Sequence, residues 1–425
     1  MKMRRFIIAL CMIGLCFSTI TLSTNALARE EGPGRSVTDW PTGVTVYNPT
    51  EAYNGFTFFT SLGGDGTHYL VDMKGNAVHT WKMPTSHYGW LLPNGNLFSG
   101  ANRKTGLGTA QTNTPSTANV GVVYEADWDG NIIQEWKNDA MHHDYDKLPN
   151  GNIITLLWSK HKRPKEMKGG RPDGETYEGG VILSETIAEI EPEPSGKIVW
   201  EWVAEDHLKA EDYPVCPLDY RKRWLHANSI QYLPTTNPIF PGKELILLSM
   251  RQVSSVIIID KGTGDVLWRY GGYITGEWAR LGHQHSFTMI GKKIGGEELP
   301  DYGNVLVFDN GMHIAAVDDW GLPRSKVVEI DPKTKKVIWA YTHKEDFVGW
   351  MPPEFKFCSP YIAGAQRLPN GNTLICEGAT GRIFEVTKGG KKVWEFINPE
   401  RRAIFRAYRY GPEFEGFKGK NLPRP

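Results

Sequence analysis

The stretch VIIIDKGTGDVLW, residues 256–268, contains the pattern that decides the fold. Branched apolar residues precede an acidic, glycine-rich corner, and a second apolar run follows and ends in a tryptophan. This is the pattern of a strand, a tight turn and a second strand. Five further stretches repeat it, and they end at Trp81, Trp136, Trp200, Trp339 and Trp394. Because the six tryptophans lie 55–71 residues apart, most of the chain is one unit repeated six times.

Inner hairpins accompany these outer strand pairs. WLLPNGNLFSG at 90–100, DKLPNGNIITLLW at 146–158 and QRLPNGNTLICEG at 366–378 turn on Pro-Asn-Gly-Asn, and Asn-Gly accepts the positive φ angles of a tight hairpin. Longer versions occupy 231–249 and 287–311. Four strands in each of six units predict an all-β, six-bladed β-propeller with four-stranded blades around a central channel. A sandwich or a barrel is the alternative, which the even repeat disfavours. The outer tryptophans are expected to pack between blades.

The chain divides into four predicted segments: a secretory signal peptide at 1–28, a short linker at 29–43, the propeller at 44–396 and a C-terminal tail at 397–425 that closes or covers the propeller. The signal is indicated by three basic residues, an apolar run and the cleavage motif Ala26-Leu27-Ala28. This predicts a periplasmic or secreted protein with no membrane association after cleavage. The inner strands of the first blade are expected between Val44 and Ser61. Phe405–Tyr410 is expected to complete that blade or to cover one end of the channel.

Composition narrows the possible partners. The 48 basic and 48 acidic residues balance, which gives no support for nucleic-acid binding. Three cysteines remain after signal cleavage, Cys216, Cys358 and Cys376, and none of them forms a CxxC motif. Buried free thiols or one disulfide are both compatible with this count, and the pairing stays open.

Histidines recur at one register of the inner strands. Five residues before the Leu of each Leu-Pro turn, or before Ile290 in the fifth blade, the sequence has His87, His143, Asn228, His285 and Ala363. His226 and His283 lie two residues upstream of Asn228 and His285, so they are expected to face the same way. In a regular strand His142 and Asp144 would point away from the channel. The histidines outside this register are expected to be surface or turn residues: His68, His79, His161, His207, His313 and His343.

A channel lined by histidines is compatible with two chemistries. One is a metal centre with His87, His143, His285 and also His226 as ligands. The other is nucleophilic and acid–base chemistry on an anionic substrate. Arg251 follows the His226 strand, and its guanidinium suits a tetrahedral oxyanion, although a salt bridge between blades is the alternative. This positive character favours an anion over a metal.

The sequence gives weaker evidence for a role of other residues in the channel. Asp309 is the nearest acidic candidate on a second strand. Tyr88, Trp90 and Trp278 are candidates for an apolar wall, and 347–361 for a lid.

A non-catalytic secreted propeller that binds a partner or an anionic polymer is the third hypothesis.

Five motifs together resemble the bacterial arylsulfate sulfotransferases, and they are HHDYDKLPNGN, HANSIQYLP, LLSMRQVSS, GHQHSF and VFDNG. The resemblance runs from about residue 44 to the end of the chain. The closing FRAYRYGPEF at 405–414 resembles the tail of a short branch of this family, without the extra N-terminal β domain that other members carry. Members are exported six-bladed propellers that move a sulfuryl group between phenols.

The resemblance implies roles for the channel residues. His285 would be the nucleophile that becomes transiently sulfated in a ping-pong reaction. His143, His226 and Arg251 would be the other catalytic residues, which bind the sulfuryl oxygens or assist the leaving phenol. The predicted substrate-binding set is Asn228, His87, His283 and Asp309. Aryl sulfates and phenols are the expected partners, no cofactor or metal is expected, and the oligomeric state stays open.

Overall fold

Strands account for nearly all of the regular secondary structure. The computed structural model describes residues 41–84, 87–102, 119–171, 176, 180–273, 281–291, 298–313, 324–342 and 357–425. The described helical turns are short: one turn of α-helix, α1 (Ala204–His207), and 3-10 turns at Gly378–Thr380 and Glu415–Phe417. The described strands form six antiparallel sheets, which are the blades of a six-bladed β-propeller. The predicted fold class is confirmed.

Each blade is a meander of four strands that are stacked from the channel outward. From the innermost strand to the outermost, the first three blades are β25 (Ile404–Tyr410), β2 (Phe56–Ser61), β3 (Thr67–Val71) and β4 (Ala77–Lys82); β5 (Tyr88–Leu91), β6 (Leu97–Asn102), β7 (Gly121–Ala126) and β8 (Ile132–Lys137); and β9 (Met141–Lys147), β10 (Ile153–Lys160), β11 (Leu183–Ile190) and β12 (Ile198–Val203). The other three are β13 (Ala227–Leu233), β14 (Leu245–Met250), β15 (Ser255–Asp260) and β16 (Val266–Gly271); β17 (His285–Met289), β18 (Val305–Asp309), β19 (Lys326–Asp331) and β20 (Lys336–Tyr341); and β21 (Gly364–Arg367), β22 (Thr373–Glu377), β23 (Arg382–Val386) and β24 (Lys392–Ile397), to which β1 (Gly43–Tyr47) is added.

The two ends of the chain join the first and last blades. β25 pairs with β2, and Arg409 lies opposite Thr57, 352 positions away along the chain. β1 pairs with β24 as a fifth, outermost strand of the last blade. The expectation that both inner strands of the first blade lie between Val44 and Ser61 is therefore wrong for the innermost strand. Of the two expectations for Phe405–Tyr410, the one in which this segment completes the first blade is confirmed.

The hydrophobic core lies between blades. The buried apolar residues of the described chain fall into six clusters, five of which combine side chains of two neighbouring blades. The other joins the second and third blades and also includes Phe405 of β25. One cluster, for example, joins Phe59 and Val71 of the first blade to Trp394 and Phe396 of the last. Burial of these faces drives the blades together, because apolar area removed from water contributes ~25 cal/mol per Å².

Outer-strand tryptophans connect successive blades by a repeated hydrogen bond. Each indole N–H donates to a backbone carbonyl in the turn of the next blade: Trp81 to Asp127 O (3.2 Å), Trp202 to Gly264 O (2.9 Å), Trp268 to Pro332 O (2.8 Å), Trp339 to Lys388 O (2.7 Å) and Trp394 to Met73 O (2.9 Å). The last of these closes the ring. The predicted packing of tryptophans between blades is confirmed for these positions, although Trp339 is only half-buried.

Two blades depart from the tryptophan pattern. In the third blade the bonded residue is Trp202 and not the predicted Trp200, whose ring lies beside the Lys261 ammonium. The sequence Trp-Glu-Trp is ambiguous because residues two apart point to the same face of a strand. In the second blade Trp136 is buried, but its indole nitrogen has no hydrogen-bond partner among the described residues.

The described part of the chain has three free cysteines, Cys216, Cys358 and Cys376, so no pair of them forms a disulfide. No helix within the described ranges is long and apolar enough to cross a bilayer.

The tryptophan bonds make a prediction for stability. Trp394→Phe leaves the Met73 carbonyl buried without its donor, whereas Trp136→Phe removes an indole N–H that has no described partner. Both variants lose similar volume, so we expect Trp394→Phe to lower the free energy of unfolding by ~1–3 kcal/mol more than Trp136→Phe. Equilibrium denaturation of both purified variants measures the difference, and equal losses would contradict the proposed contribution of the bond.

Candidate active site

The inner strands bend where they reach the predicted site. His143 and His226 have φ angles of 52°, and Ser286 has a φ of 54°. Each lies at or near a shift in the pairing register of its strand. A positive φ is uncommon for residues other than glycine, and bulges of this kind re-aim side chains near active sites. Irregular strand ends therefore form the site, and side chains there do not alternate strictly between the two faces of the strand.

Three histidines form a continuous chain of contacts. His142 Nδ1 lies 2.8 Å from His143 Nδ1, and His143 Nε2 lies 3.1 Å from His226 Nε2. The bulge at His143 brings His142 to the same side, so the expectation that His142 points away is wrong. The His142 ring also stacks on Trp158, with the ring centroids 3.7 Å apart.

One proton assignment satisfies every contact in this chain. Arg223 Nη1 lies 3.4 Å from His226 Nε2, and since a guanidinium only donates, His226 Nε2 accepts. His143 Nε2–H then donates to the same lone pair, which it shares with the longer contact from Arg223, and His143 Nδ1 accepts from His142 Nδ1–H. Burial, followed by neighbouring charges that include Arg223, holds the pKa of all three imidazoles well below the usual range. At neutral pH the three rings are therefore uncharged, and the hydrogen bonds between them all run from His142 through His143 to His226.

His285 is held with one nitrogen fixed. Its Nδ1 lies 2.7 Å from Asn310 Oδ1, and Asn310 Nδ2 donates to the Ser359 carbonyl at 2.6 Å. The second bond orients the amide so that its oxygen accepts from His285, which places the proton on Nδ1 and the lone pair on Nε2. Burial, and then the charge of Arg251, lowers the pKa of His285 to about 3. Its Nε2 accepts a long hydrogen bond from the Ile362 amide, at 3.3 Å.

Arg251 supplies positive charge to the centre of the cluster. Its charge lowers the pKa of His226, His283 and His285, after burial in each case. Its Nε is buried without a hydrogen-bond partner, and no carboxylate of the described residues forms an ion pair with it. The alternative of a salt bridge between blades is therefore not supported by any described contact. A partly buried guanidinium whose Nε has no partner is suited to an anion.

Asn228 and Gln284 tie the fourth blade to the fifth. Asn228 is fully buried, and its Nδ2 donates to the Gln284 carbonyl at 2.9 Å. The Gln284 side chain donates in turn to the carbonyls of Met250 and Ser255, at 3.1 and 3.0 Å. Asn228 Oδ1 is buried without a partner among the described residues. These bonds fix the position of His285, the next residue after Gln284.

The remaining predicted residues lie around this core. The His87 ring packs on Phe405 with 4.4 Å between centroids, and burial lowers its pKa to about 3. Asp309 is fully buried and accepts from the amides of Gly282 and Gly311, at 2.7 and 3.0 Å, so its contacts position the segment before His285. His283 turns to Asp219, at 2.8 Å, away from the imidazole chain.

An arginine and an aspartate that sequence reasoning gave little weight also meet in the channel. Arg406 of β25 contacts Asp144 of β9 at 2.8 Å and the Asn228 carbonyl of β13 at 3.3 Å. Tyr88 of β5 donates to the same carboxylate. Four blades contribute to this group, so it lies on the channel axis, and the expectation that Asp144 points away is wrong because of the bulge at His143. A cavity of about 220 Å³, lined by Gln231, Thr288 and Arg406 among others, adjoins it.

Two histidines predicted to be ordinary surface or turn residues, His68 and His161, are buried, and a third, His313, is partly buried. His68 is fully buried and bonds to Ser99 at 2.7 Å, and His161 pairs with Glu205 at 2.6 Å. His313 packs against His283, with ring centroids 4.4 Å apart. Trp278, His343 and 347–356 of the predicted lid lie outside the described residues.

A family model described as Arylsulfotransferase (ASST) matches residues 44–403. The chain belongs to the arylsulfotransferase family. It is therefore a transferase, as the resemblance implied, and aryl sulfates and phenols fit the family in general. The match covers every predicted catalytic and substrate-binding residue, from His87 to Asp309, but ends three residues before Arg406.

Solved structures that match this arylsulfotransferase are distant in sequence. A protein of unknown function from Bacteroides caccae is 12% identical with a TM-score of 0.46, and the alignment covers 84% of this chain and 98% of that chain. Streptogramin B lyase is 12% identical with a TM-score of 0.41, over 87% of this chain and 86% of that one. No curated protein matches the sequence.

Proposed function

We propose that this arylsulfotransferase moves a sulfuryl group from an aryl sulfate to a phenol through a sulfohistidine at His285. The observation that carries the proposal is the fixed tautomer of His285. Asn310 holds the Nδ1 proton, so Nε2 carries the lone pair, and the low pKa keeps the ring unprotonated at neutral pH. A neutral imidazole that cannot turn is a suitable in-line nucleophile.

Arg251 and Asn228 are suited to hold the sulfuryl oxygens. Sulfuryl transfer resembles phosphoryl transfer, in which a loose transition state spreads charge over the peripheral and leaving oxygens. Arg251 has open donors within electrostatic reach of His285. Asn228 Nδ2 carries two hydrogens, and only one of them is used by the Gln284 carbonyl. Donors that are placed before the reaction lower the barrier because they do not have to reorganise during it.

The reaction divides into two balanced halves. In the first, Nε2 of His285 forms a bond to sulfur, the bond between sulfur and the donor oxygen breaks, and the donor leaves as a phenolate. In the second, the acceptor phenol loses its proton and takes the sulfuryl group from His285. The acceptor gives up one proton and the donor phenolate gains one, so no proton is consumed overall. The Ile362 amide, at 3.3 Å, has to yield its place beside Nε2 as sulfur approaches.

The chain of His142, His143 and His226 is placed to move that proton. In each linked imidazole one nitrogen accepts a proton while the other releases one. Burial and neighbouring charges that include Arg223 hold the pKa values of these imidazoles low. A proton that enters the chain therefore moves through it, and no ring stays protonated. His226, whose Nδ1 carries the proton in this assignment, would thus serve the departing phenolate first and the incoming phenol second, and His143 would relay the proton behind it.

A metal-dependent reaction at the histidine ring is not favoured by a described contact. Within the described ranges, the group of His, Cys, Asp or Glu side chains close enough to share one ion is Cys216, Asp219, His283 and His313. The four histidines expected as ligands of a catalytic metal, which are His87, His143, His226 and His285, are not in that group. The sulfuryl-transfer proposal rests on imidazole, guanidinium and amide groups alone.

The nucleophile is tested by labelling. Wild-type protein incubated with an aryl sulfate that releases a coloured phenol, without acceptor, should gain one sulfo group on the peptide that contains His285. His285→Ala should lose turnover and labelling, because the attacking nitrogen is gone. Peptide mass mapping locates the group. A sulfo group on His143 or His226, or turnover by pure His285→Ala, would reject the assignment.

The oxyanion role is tested at Arg251. We expect Arg251→Ala to lower kcat/KM ~10²–10³-fold, on the scale of losing one oxyanion donor. Arg251→Lys, which keeps the charge but loses the planar fork, should fall between this variant and the wild type. Initial rates with the coloured donor give the values. Thermal unfolding of the same samples serves as the control, since Arg251 has no described ion pair whose loss would destabilise the fold.

We further propose that residues 1–28 direct export and that the mature chain begins at Arg29. The basic residues, apolar run and cleavage motif support this, and the segment lies outside the described residues. N-terminal sequencing of protein recovered from the periplasm or medium of an expressing bacterium should begin at Arg29. Recovery only from the cytoplasm with an intact N-terminus would contradict the proposal.

A further inference from the structure

A second group of reactive side chains lies beside the proposed site. Cys216 and Asp219 come from the segment between β12 and β13, His283 lies just before β17, and His313 follows β18. One ligand-type atom of each residue lies within 4.8 Å of those of the others. Cys216 and His283 are buried, and the other two are partly buried. None of these four residues has a role in the proposed sulfuryl transfer.

The distances agree with a common centre. Cys216 Sγ lies 3.6 Å from His313 Nδ1, and Asp219 Oδ1 lies 3.7 Å from the same nitrogen. Around a tetrahedral zinc ion with bonds of ~2.3 Å to sulfur and ~2.0–2.1 Å to nitrogen, neighbouring ligand atoms are ~3.3–3.6 Å apart. The sulfur–nitrogen distance falls within this range, and the oxygen–nitrogen distance lies just above it.

His283 provides an independent sign of a missing ligand. The side chain is fully buried, and its Nδ1 has no hydrogen-bond partner among the described residues. Its Nε2 pairs with Asp219 Oδ2 at 2.8 Å. An imidazole and a carboxylate held this close, beside a thiol and a second imidazole, are donors that one divalent ion can draw together.

We propose that Cys216, Asp219, His283 and His313 bind a zinc ion. This role replaces the substrate-binding role expected for His283. A thiolate and two imidazoles are preferred zinc ligands, and the carboxylate makes the set too hard for copper(I). Four protein ligands leave no open position, so the site is structural rather than catalytic.

Charge balance is compatible with the surroundings. The thiolate and the carboxylate together carry two negative charges, which neutralise Zn²⁺. Arg251 is within electrostatic reach of Asp219, His283 and His313, and a neutral complex does not repel its guanidinium. Zinc replaces the Cys216 proton, so binding releases one proton and tightens as the pH rises.

The ion would connect three chain segments next to the nucleophile. His283 is two residues before His285, and the Cys216 segment also bonds to the fourth blade through the Gln252 carbonyl, 2.9 Å from the Cys216 amide. A zinc ion there would fix the start of β17 and hence the Nε2 direction of His285. The zinc site stands or falls independently of the reaction at His285.

Metal analysis of the full chain tests the site. Protein purified, supplied with zinc and freed of unbound metal should retain about one zinc per chain, and zinc should raise the unfolding temperature by a few degrees. Cys216→Ser and His313→Gln should each weaken zinc binding by more than ~100-fold, since even loss of an outer partner of a ligand costs ~10–100-fold. With cobalt(II) in place of zinc, wild type should show a thiolate charge-transfer band that Cys216→Ser lacks.

Two variants are matched controls. Cys358→Ser removes a partly buried thiol outside the cluster, and His285→Ala removes the proposed nucleophile; both should retain zinc. His313 is partly exposed, so its variant serves if Cys216→Ser does not fold. Absence of zinc at micromolar free metal, unchanged affinity in His313→Gln, or a cobalt spectrum without the thiolate band would each overturn the proposal.

Discussion

The bond from an outer-strand tryptophan to the next blade's turn carbonyl sets the geometry of the whole ring. It recurs in five blades, and the last, from Trp394 to Met73, joins the sixth blade to the first. The bond is short-range and directional, whereas the apolar packing between blades is not. Together they fix the angle between neighbouring sheets. That angle decides whether six inner strands aim at one axis, and the active site is formed only if they do.

The axis concentrates groups that are costly to bury. Imidazoles can be buried neutral, and the low pKa of His143, His226 and His285 reflects this. Guanidiniums cannot, so each needs an anion. Arg406 has Asp144, while Arg251 has no described carboxylate partner. The charge of Arg406 is therefore neutralised within the fold, whereas the charge of Arg251 is available to a substrate. In the proposed reaction the sulfuryl oxygens supply the negative charge that Arg251 lacks.

The sequence predicted the architecture well because the propeller is built from local units. Each hairpin and outer pair has a short signature, and Asn96 and Asn152 of the Pro-Asn-Gly-Asn turns indeed bond within their own blades, to Glu125 and Glu189. The histidine register brought together most of the predicted site residues for the same reason. The register failed at His142 and Asp144, where side chains no longer alternate between the two faces of the strand. The cause is the positive φ at His143, and a positive φ at a non-glycine residue has no sequence signal. Sequence reasoning also gave little weight to partners that meet across blades, among them Arg406.

The closure of the ring by β25 has a consequence for when the protein becomes active. Arg406 belongs to β25, which follows every other described strand in sequence, and the first blade has no innermost strand until β25 is made. A nascent chain that has already produced His285 and Arg251 therefore still lacks a closed channel. Competence to bind substrate appears only after β25 has been made, and a chain cut before Ile404 would not carry the activity.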